Sequence, residues 1–235
     1  MTELIDTTEM YLRIIFELEE EGTPTLRARI VDRLGHSGPT VSQTVARMER
    51  DGLLAVQPDR SLLLSEVGRA RATRVMRKHR LVERLLFDVI GLEYEHVHIE
   101  ACRWEHVVSE RVERKILRLL EDGRESPYGN PIPGLDELGV LPVSGAGSAV
   151  RGVVALADVS DVTAHVEIHH LSEALQDNPE ALGRLRGVGL VPGASAHVER
   201  RGDEWVLRRA GDEPATLSAE LAAHLRVVVI EAVGP

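Results

Sequence analysis

The chain has 235 residues, 28 Lys and Arg against 38 Asp and Glu, a formal net charge of -10, 3% aromatic residues and a single cysteine. That length gives one or two domains with a buried core, the lone cysteine excludes an internal disulfide and fits a reducing interior, and no apolar run is long enough to span a bilayer. The start "MTELIDTTEM" lacks the basic and apolar stretches of a secretory signal, so a cytoplasmic location is expected, and the acidic balance argues against a generic nucleic-acid binder but not against a local one.

The first 121 residues carry mostly helical patterns. Asp6 or Thr7 can cap a first helix, on which Met10, Ile14 and Leu18 recur every four residues as one stripe. "TLRARIVDRLG" reads as a second short helix that stops at Gly35. "SGPTVSQTVARMERDGL", residues 37–53, reads as a third. On its wheel Val41, Val45 and Met48 fall on one side, and Pro39, Thr40, Gln43, Arg47 and Arg50 on the other. The first side suits a core. The second suits DNA, because Gln pairs bidentately with adenine, Arg binds phosphate, and Pro or a small hydroxyl fits near a thymine methyl.

"LLAVQPDRSLLLSEVG" gives two apolar runs about the turn "PDRS", a hairpin with Arg60 at its tip. Helix, tight turn, helix and hairpin make a winged helix-turn-helix. Arg27 and Arg60 would flank the duplex backbone. The competing reading of this segment is a solvated polar helix. Between residues 27 and 60 lie six arginines and four acids, an excess of only two positive charges. Specific geometry must therefore contribute more than long-range attraction, and weak non-specific DNA binding is expected.

A long helix capped by Ser65 is expected to run to about Gly91, followed by helices near 94–107 and 109–121. In "HIEACRWEH", residues 98–106, the helical period brings His98, Cys102, Glu105 and His106 to one face. Thiolate, carboxylate and imidazole converging in this way is metal-ligand chemistry. His79 and Glu83 repeat the i, i+4 spacing on the preceding helix. Any one of these has a plainer reading: a lone Cys is usually a small buried hydrophobe, a lone His a structural residue, and Met10 core packing, although its thioether is available if the first helix crosses the fifth. The mixed sulfur, nitrogen and oxygen set does not match a closed structural zinc site. It suits a middle first-row divalent ion, without separating Fe(II) from Co(II) or Ni(II).

Residues 123–150 are rich in Pro and Gly and read as a connecting segment. From about 151 short β runs follow, "GVVALADV", "SAHVERR", "EWVLRRA" and "HLRVVVIEA", with one helical stretch, "LSEALQDNPEALGRLRGVG". The fold class is mainly α with a β-rich C-terminal domain.

Several of these stretches together resemble the diphtheria toxin repressor family of iron-dependent regulators from actinobacteria. The resemblance rests on "DTTEMYLR" at 6–13, the third helix at 37–53, "MRKHRLVERLL" at 76–86, "EACRWEH" at 100–106 and "SPYGNPIPGLDELG" at 126–139. It is near-continuous over the first 140 residues and looser beyond. It implies a winged-helix DNA-binding domain over 1–74, a helical dimerisation and metal domain over 75–140, a linker over 141–150 and an SH3-like domain over 151–235. It also implies a homodimer, no enzymatic activity, Fe(II) as corepressor at two sites per chain, and repression of iron-homeostasis genes from palindromic operators, with one or two dimers per operator left open. Co(II), Ni(II), Mn(II) or Zn(II) would substitute in vitro. By the resemblance the regulatory site maps to Met10, Cys102, Glu105 and His106. The ancillary site maps to His79, Glu83 and His98, completed by Glu173 and Gln176 from the last domain; the adjacent His169 and His170 have no role in it. The DNA contacts map to Arg27, Ser37, Pro39, Thr40, Ser42, Gln43, Arg47, Arg50 and Arg60.

Metal held between Met10 and Cys102 would tie the N-terminal segment to the dimerisation domain and so select a DNA-competent state, with reading heads roughly 34 Å apart. The Pro-rich 126–139 segment is expected to dock in the SH3-like domain of its own chain and to compete there with the ligand-donor role of that domain. The nearest rival is a manganese-responsive regulator, which would carry harder oxygen ligands in place of Met10 and Cys102. Further rivals are a metalloenzyme or metal buffer, for which no nucleophile-and-base pattern is present, and a metal-independent winged-helix protein.

Overall fold

A computed structural model describes residues 6–120, 123–140, 152–160, 162–209, 211 and 213–232. The first helix, α1 (Thr7–Glu20), is capped by Asp6, whose carboxylate accepts from the N–H groups of Thr8 and Glu9 at 2.9 and 3.3 Å. Ile14 and Leu18 of the expected stripe are buried, whereas Met10 is only half-buried. Helix α2 (Arg27–Leu34) ends at Gly35. Helix α3 (Gly38–Arg50) starts at Ser37, whose hydroxyl accepts from the Thr40 N–H. The wing is a two-stranded hairpin, β1 (Leu54–Val56) and β2 (Leu62–Leu64).

Helix α4 (Glu66–Arg84) is capped by Ser65, whose hydroxyl accepts from Gly68 N–H and donates to the Gly52 carbonyl at 2.6 Å. One side chain thereby fixes α4 to the turn that follows α3. A π-helical turn, Leu85–Ile90, continues α4 to Gly91. Helices α5 (Tyr94–Trp104) and α6 (Glu110–Leu119) follow. The expected 94–107 helix thus stops at Trp104. Both Val107 and Val108 N–H donate to the Trp104 carbonyl, tightening the chain, and His106 is drawn to Glu9 of α1.

Residues 123–140 are not an open connector. Their first half turns tightly, with Ser126 N–H donating to the Asn130 carbonyl. At Gly129 (φ 83°) a Cβ would lie 2.5 Å from the His169 carbonyl oxygen, so only glycine allows this approach. Leu171 N–H donates to the Tyr128 carbonyl, and the Asn130 amide donates to the Leu171 carbonyl at 2.7 Å. The second half packs on α4, where Arg77 donates to Gly134 O and Glu137. Tyr128 and Asn130 of this turn thus hydrogen-bond the C-terminal domain at Leu171, and Ile132 and Leu138 share its hydrophobic cluster. The linker expected over 141–150 lies outside the described residues.

The C-terminal unit is a six-stranded antiparallel sheet in the order β3-β8-β4-β5-β6-β7: β3 (Val153–Ala155), β4 (Thr163–Leu171), β5 (Ser195–Arg201), β6 (Glu204–Arg208), β7 (Ala215–Ser218) and β8 (Leu225–Ala232). It is compatible with the expected SH3-like domain. Strands β4 and β7 were not among the expected β runs, although Ala164, Val166 and Ile168 alternate inward along β4. The single expected helical stretch is two helices, α7 (Glu173–Gln176) and α8 (Pro179–Gly187), divided where Asn178 caps α8 ahead of Pro179. A short α9 (Ala219–Ala222) precedes β8.

Among the described residues there are two hydrophobic cores, and α4 belongs to both. Ala72 and Met76 close the DNA-binding core with Tyr11, Ile15, Val45 and Leu62. Leu81 and Val82 join the second core, which runs from Tyr94 and Val97 through Tyr128 to Ile168, Leu185 and Trp205. None of the helices of the described residues is long and apolar enough to cross a membrane.

Candidate metal centre and DNA-reading surface

The metal candidates converge where α1, α4 and α5 meet. Residues His79 and Glu83 lie one turn apart on α4 and are fully buried. The first turn of α5 is fixed by Tyr128, whose hydroxyl accepts from His98 N–H and donates to the Tyr94 carbonyl. This sets His98 opposite His79, with ring nitrogens 3.1 Å apart. His79, His98 and Cys102 offer ligand atoms that all lie within 4.8 Å of one another. Glu105 Oε2 lies 2.6 Å from His79 Nδ1, Glu83 Oε1 lies 2.8 Å from His79 Nε2, and Cys102 Sγ lies 3.6 Å from His98 Nε2. Cys102 and Glu105, assigned to one site by the resemblance, and His79, Glu83 and His98, assigned to the other, therefore form one connected network.

On one flank His106 Nδ1 lies 2.8 Å from Glu9 of α1, beside the half-buried Met10. On the other flank α7 supplies Glu173 and Gln176. The Glu173 carboxylate accepts from Arg80 at 2.6 Å, and the Gln176 amide donates to the Leu171 carbonyl at 2.7 Å. His169 and His170, 2.8 Å apart at the end of β4, bond each other rather than the cluster.

The electrostatics follow from this crowding. Burial pushes the Cys102 thiol up, but the charges of Arg13 and His98 outweigh it and hold the thiol well below its ordinary range. Burial opposes ionisation of Glu83 too, yet His79 and His98 hold it at about 2. The His79 and His98 imidazoles, which burial would neutralise, are raised well above their ordinary range by Glu83, Cys102, Glu105 and Asp177. The directions of these shifts favour charge on the thiolate and carboxylate donors, balanced by Arg13 and the imidazoles packed among them.

Among the described residues, five buried carboxylate or amide oxygens have no aligned hydrogen-bond donor: Glu17 Oε1, Glu19 Oε2, Glu83 Oε2, Glu105 Oε1 and Gln176 Oε1. Unpaired buried acceptors are rare and costly. Glu17 Oε1 and Glu19 Oε2 face Arg13 and Arg69 in ion pairs, whereas Glu83 Oε2, Glu105 Oε1 and Gln176 Oε1 belong to the donor set itself, which is what a site for a divalent cation requires, so the residues fit a metal. The mixed S, N and O donors suit a middle first-row ion.

The face of α3 expected to read DNA is exposed and the opposite face is buried. Val41, Thr44, Val45 and Met48 are buried on one side of α3. Ser37, Pro39, Thr40, Ser42, Gln43, Arg47 and Arg50 are exposed on the other. Arg60 is exposed at the wing tip with φ 71°, the one non-glycine residue with positive φ among the described residues. Arg27 is half-buried at the first residue of α2.

Arg13, Arg80, Glu9 and Asp177 carry contacts that the sequence reading did not assign. A faint signal was present: Arg13 follows Met10 by one turn, and Arg80 adjoins His79. Their partners come from other elements, which no helical wheel shows.

A winged helix joined to a helical unit with a buried metal-type cluster defines a metal-responsive DNA-binding regulator. Residues 3–62 match the family model "Iron dependent repressor, N-terminal DNA binding domain", and residues 65–134 match "Iron dependent repressor, metal binding and dimerisation domain". The chain is 54% identical over 229 residues to the iron-dependent repressor IdeR of Mycobacterium tuberculosis, covering 97% of this chain and 99% of that one. It is 49% identical over 227 residues to the diphtheria toxin repressor of Corynebacterium diphtheriae, with the same coverage. Among solved structures, a manganese-dependent transcriptional repressor in complex with manganese superposes with a TM-score of 0.77 at 24% identity, over 95% of this chain and 100% of that one. IdeR of T. acidophilum superposes with a TM-score of 0.73 at 25% identity, over 95% and 98%. This chain belongs to the iron-dependent repressor family, that of the diphtheria toxin repressor.

Proposed function

We propose that this chain is an Fe(II)-activated transcriptional repressor that binds palindromic operators of iron-homeostasis genes as a homodimer in the cytoplasm, and that it is not an enzyme. The observation that carries this reading is the pairing of an exposed Gln/Arg face on α3 with a buried thiolate-imidazole-carboxylate cluster in one chain. In this reading Met10, Cys102, Glu105 and His106 hold the regulatory ion. The ancillary ion is held by His79, Glu83, His98, Glu173 and Gln176, giving two sites per chain. A bound divalent ion supplies positive charge that no protonation of these donors can mimic. The chain's own part is to place donors on separate elements: Met10 comes from α1, and Cys102 from α5. Loading the site therefore joins the helix that opens the DNA-binding domain to the helix that follows α4, and biases the relative placement of the reading heads. Residues 2–5 of the N-terminal segment implicated by the sequence lie outside the described residues.

A second copy has a surface to meet. Val89, Ile90, Ile99, Val107, Val112 and Leu119 of the helical unit are exposed, a concentration of apolar side chains that supports dimerisation there. Manganese as the activating ion is the weaker reading. The likeness to the manganese repressor is a likeness of fold at 24% identity, while relatives named for iron share about half of all residues. Co(II), Ni(II), Mn(II) and Zn(II) are expected to substitute in vitro.

The test is recovery of genomic DNA fragments on the purified protein under anaerobic Fe(II). Enrichment of inverted-repeat fragments that is lost on chelation is expected. Enrichment that persists with a chelator contradicts the metal switch, and no enrichment in either condition contradicts the repressor reading.

A further inference from the structure

The cation at the centre of the cluster is a side chain of α1. Arg13 Nη1 donates to Cys102 Sγ at 3.0 Å and to Glu105 Oε2 at 3.3 Å, and lies 3.2 Å from His79 Nδ1. It thereby touches two donors assigned to the regulatory ion and one assigned to the ancillary ion. Cys102, Glu105 and His79 thus crowd about a guanidinium that carries a fixed positive charge. A guanidinium cannot be deprotonated in a protein. To free Cys102 and Glu105, Arg13 has to move.

We infer that the Arg13 guanidinium is a built-in competitor for the metal, a latch that occupies the anionic donors in the metal-free protein and must withdraw from Cys102 and Glu105 before a divalent ion can take them. This rests on the metal-sensor reading and adds to it the element that sets the loading threshold. The latch also has somewhere to go. One turn further along α1, Glu17 Oε1 lies 3.2 Å from Arg13 Nε, in an ion pair that is not yet an aligned hydrogen bond. A rotation about the arginine stem can trade the Cys102 and Glu105 contacts for a direct bond to Glu17. Glu17 is buried and also lies 3.7 Å from Arg33 of α2, so withdrawal shifts charge from the metal cluster toward the DNA-binding core. The latch and the ion exclude each other at two shared ligands. Linkage then requires that whatever stabilises the latched state weakens metal binding by the same factor.

The experiment compares the full-length wild type with Arg13→Met, Arg13→Lys, Glu17→Gln and Cys102→Ser. Co(II) is the probe, with the near-ultraviolet thiolate-to-Co(II) band and the melting temperature as readouts. Arg13→Met keeps the length of the stem and removes the charge. It is expected to bind Co(II) roughly tenfold or more tightly, while its metal-free form melts below the wild type and the deficit closes at saturating Co(II). Arg13→Lys keeps the charge and should stay near the wild type in melting. Glu17→Gln removes the alternative seat and should bind Co(II) more weakly. Unchanged or weaker Co(II) binding by a folded Arg13→Met overturns the latch. If Arg13→Met does not fold, unchanged Co(II) binding in Glu17→Gln overturns it instead. Cys102→Ser separates the two levels: if it binds Co(II) as the wild type does, the sensor reading itself fails. If it loses the thiolate band while Arg13→Met shows no gain, only the latch fails.

Discussion

Gln43 stands exposed on the outer face of α3, beside Arg47 and opposite the buried Val41 and Val45. Its amide can pair bidentately with one base edge, so it carries sequence information that the arginines, as phosphate binders, do not. Gln43→Ala should weaken binding to a specific operator by about 1–3 kcal/mol and leave binding to unrelated duplex unchanged, as measured by competition between the two DNAs. A second residue reports on acid stability. Burial, helped by the adjacent His169, lowers His170 to about 4 from an ordinary 6.5. The folded state prefers the neutral ring, so this contribution is complete above pH 6.5 and is lost as the pH falls toward 4. His170→Gln should flatten the fall in melting temperature across that window. An unchanged pH profile would show that other groups govern it.

At the scale of elements, the seam between α4 and the wing leaves no space. A Cβ on Gly68 would lie 1.8 Å from the Leu53 carbonyl oxygen, a backbone atom that cannot swing aside. Gly68→Ala should therefore cost roughly 2–4 kcal/mol of unfolding free energy, measurable by denaturant titration, despite the better helix propensity of alanine. Elements set by local chemistry were legible in the sequence. The Asp6 and Ser65 caps, the buried stripe of α3 and strand β5 all rest on side chain-to-backbone bonds or on periodicity. Strand β4 carried its alternation in plain view, but its outward positions are His and Glu rather than common strand formers. Helix α5 ends three residues early because His106 serves a contact with α1, which no local rule contains. The metal donors were legible as types on a face, while their merging into one network was not. It depends on α4 bringing His79 within 2.6 Å of a carboxylate of the next helix.

For the whole molecule, α4 is the beam shared by both cores, and Arg80 is its main polar tie. The buried guanidinium bonds Glu173 of α7, Glu20 of α1 and the Pro131 carbonyl, joining the C-terminal unit, the DNA-binding unit and the Pro-rich segment at one point. Removing one member of a buried ion network leaves its partners uncompensated, at a cost of about 3–5 kcal/mol. Arg80→Met should destabilise the protein by that order in chemical denaturation, and the loss should shrink in the double variant with Glu173→Gln, which removes the stranded charge. Arg226, which donates to the Glu21 carbonyl at the end of α1, is a second tie across the same boundary. Through these ties the C-terminal unit that carries Glu173 and Gln176 touches the end of the helix that carries Met10 and Arg13.

Metal at the Cys102 cluster is expected to govern DNA reading by α3. The most direct measurement is the anisotropy of a labelled inverted-repeat duplex titrated with wild type and Cys102→Ser under anaerobic conditions, with and without Fe(II). Tight binding is expected only from the wild type with Fe(II). Equal binding in all four titrations would contradict it and leave a winged-helix protein that reads DNA without sensing metal.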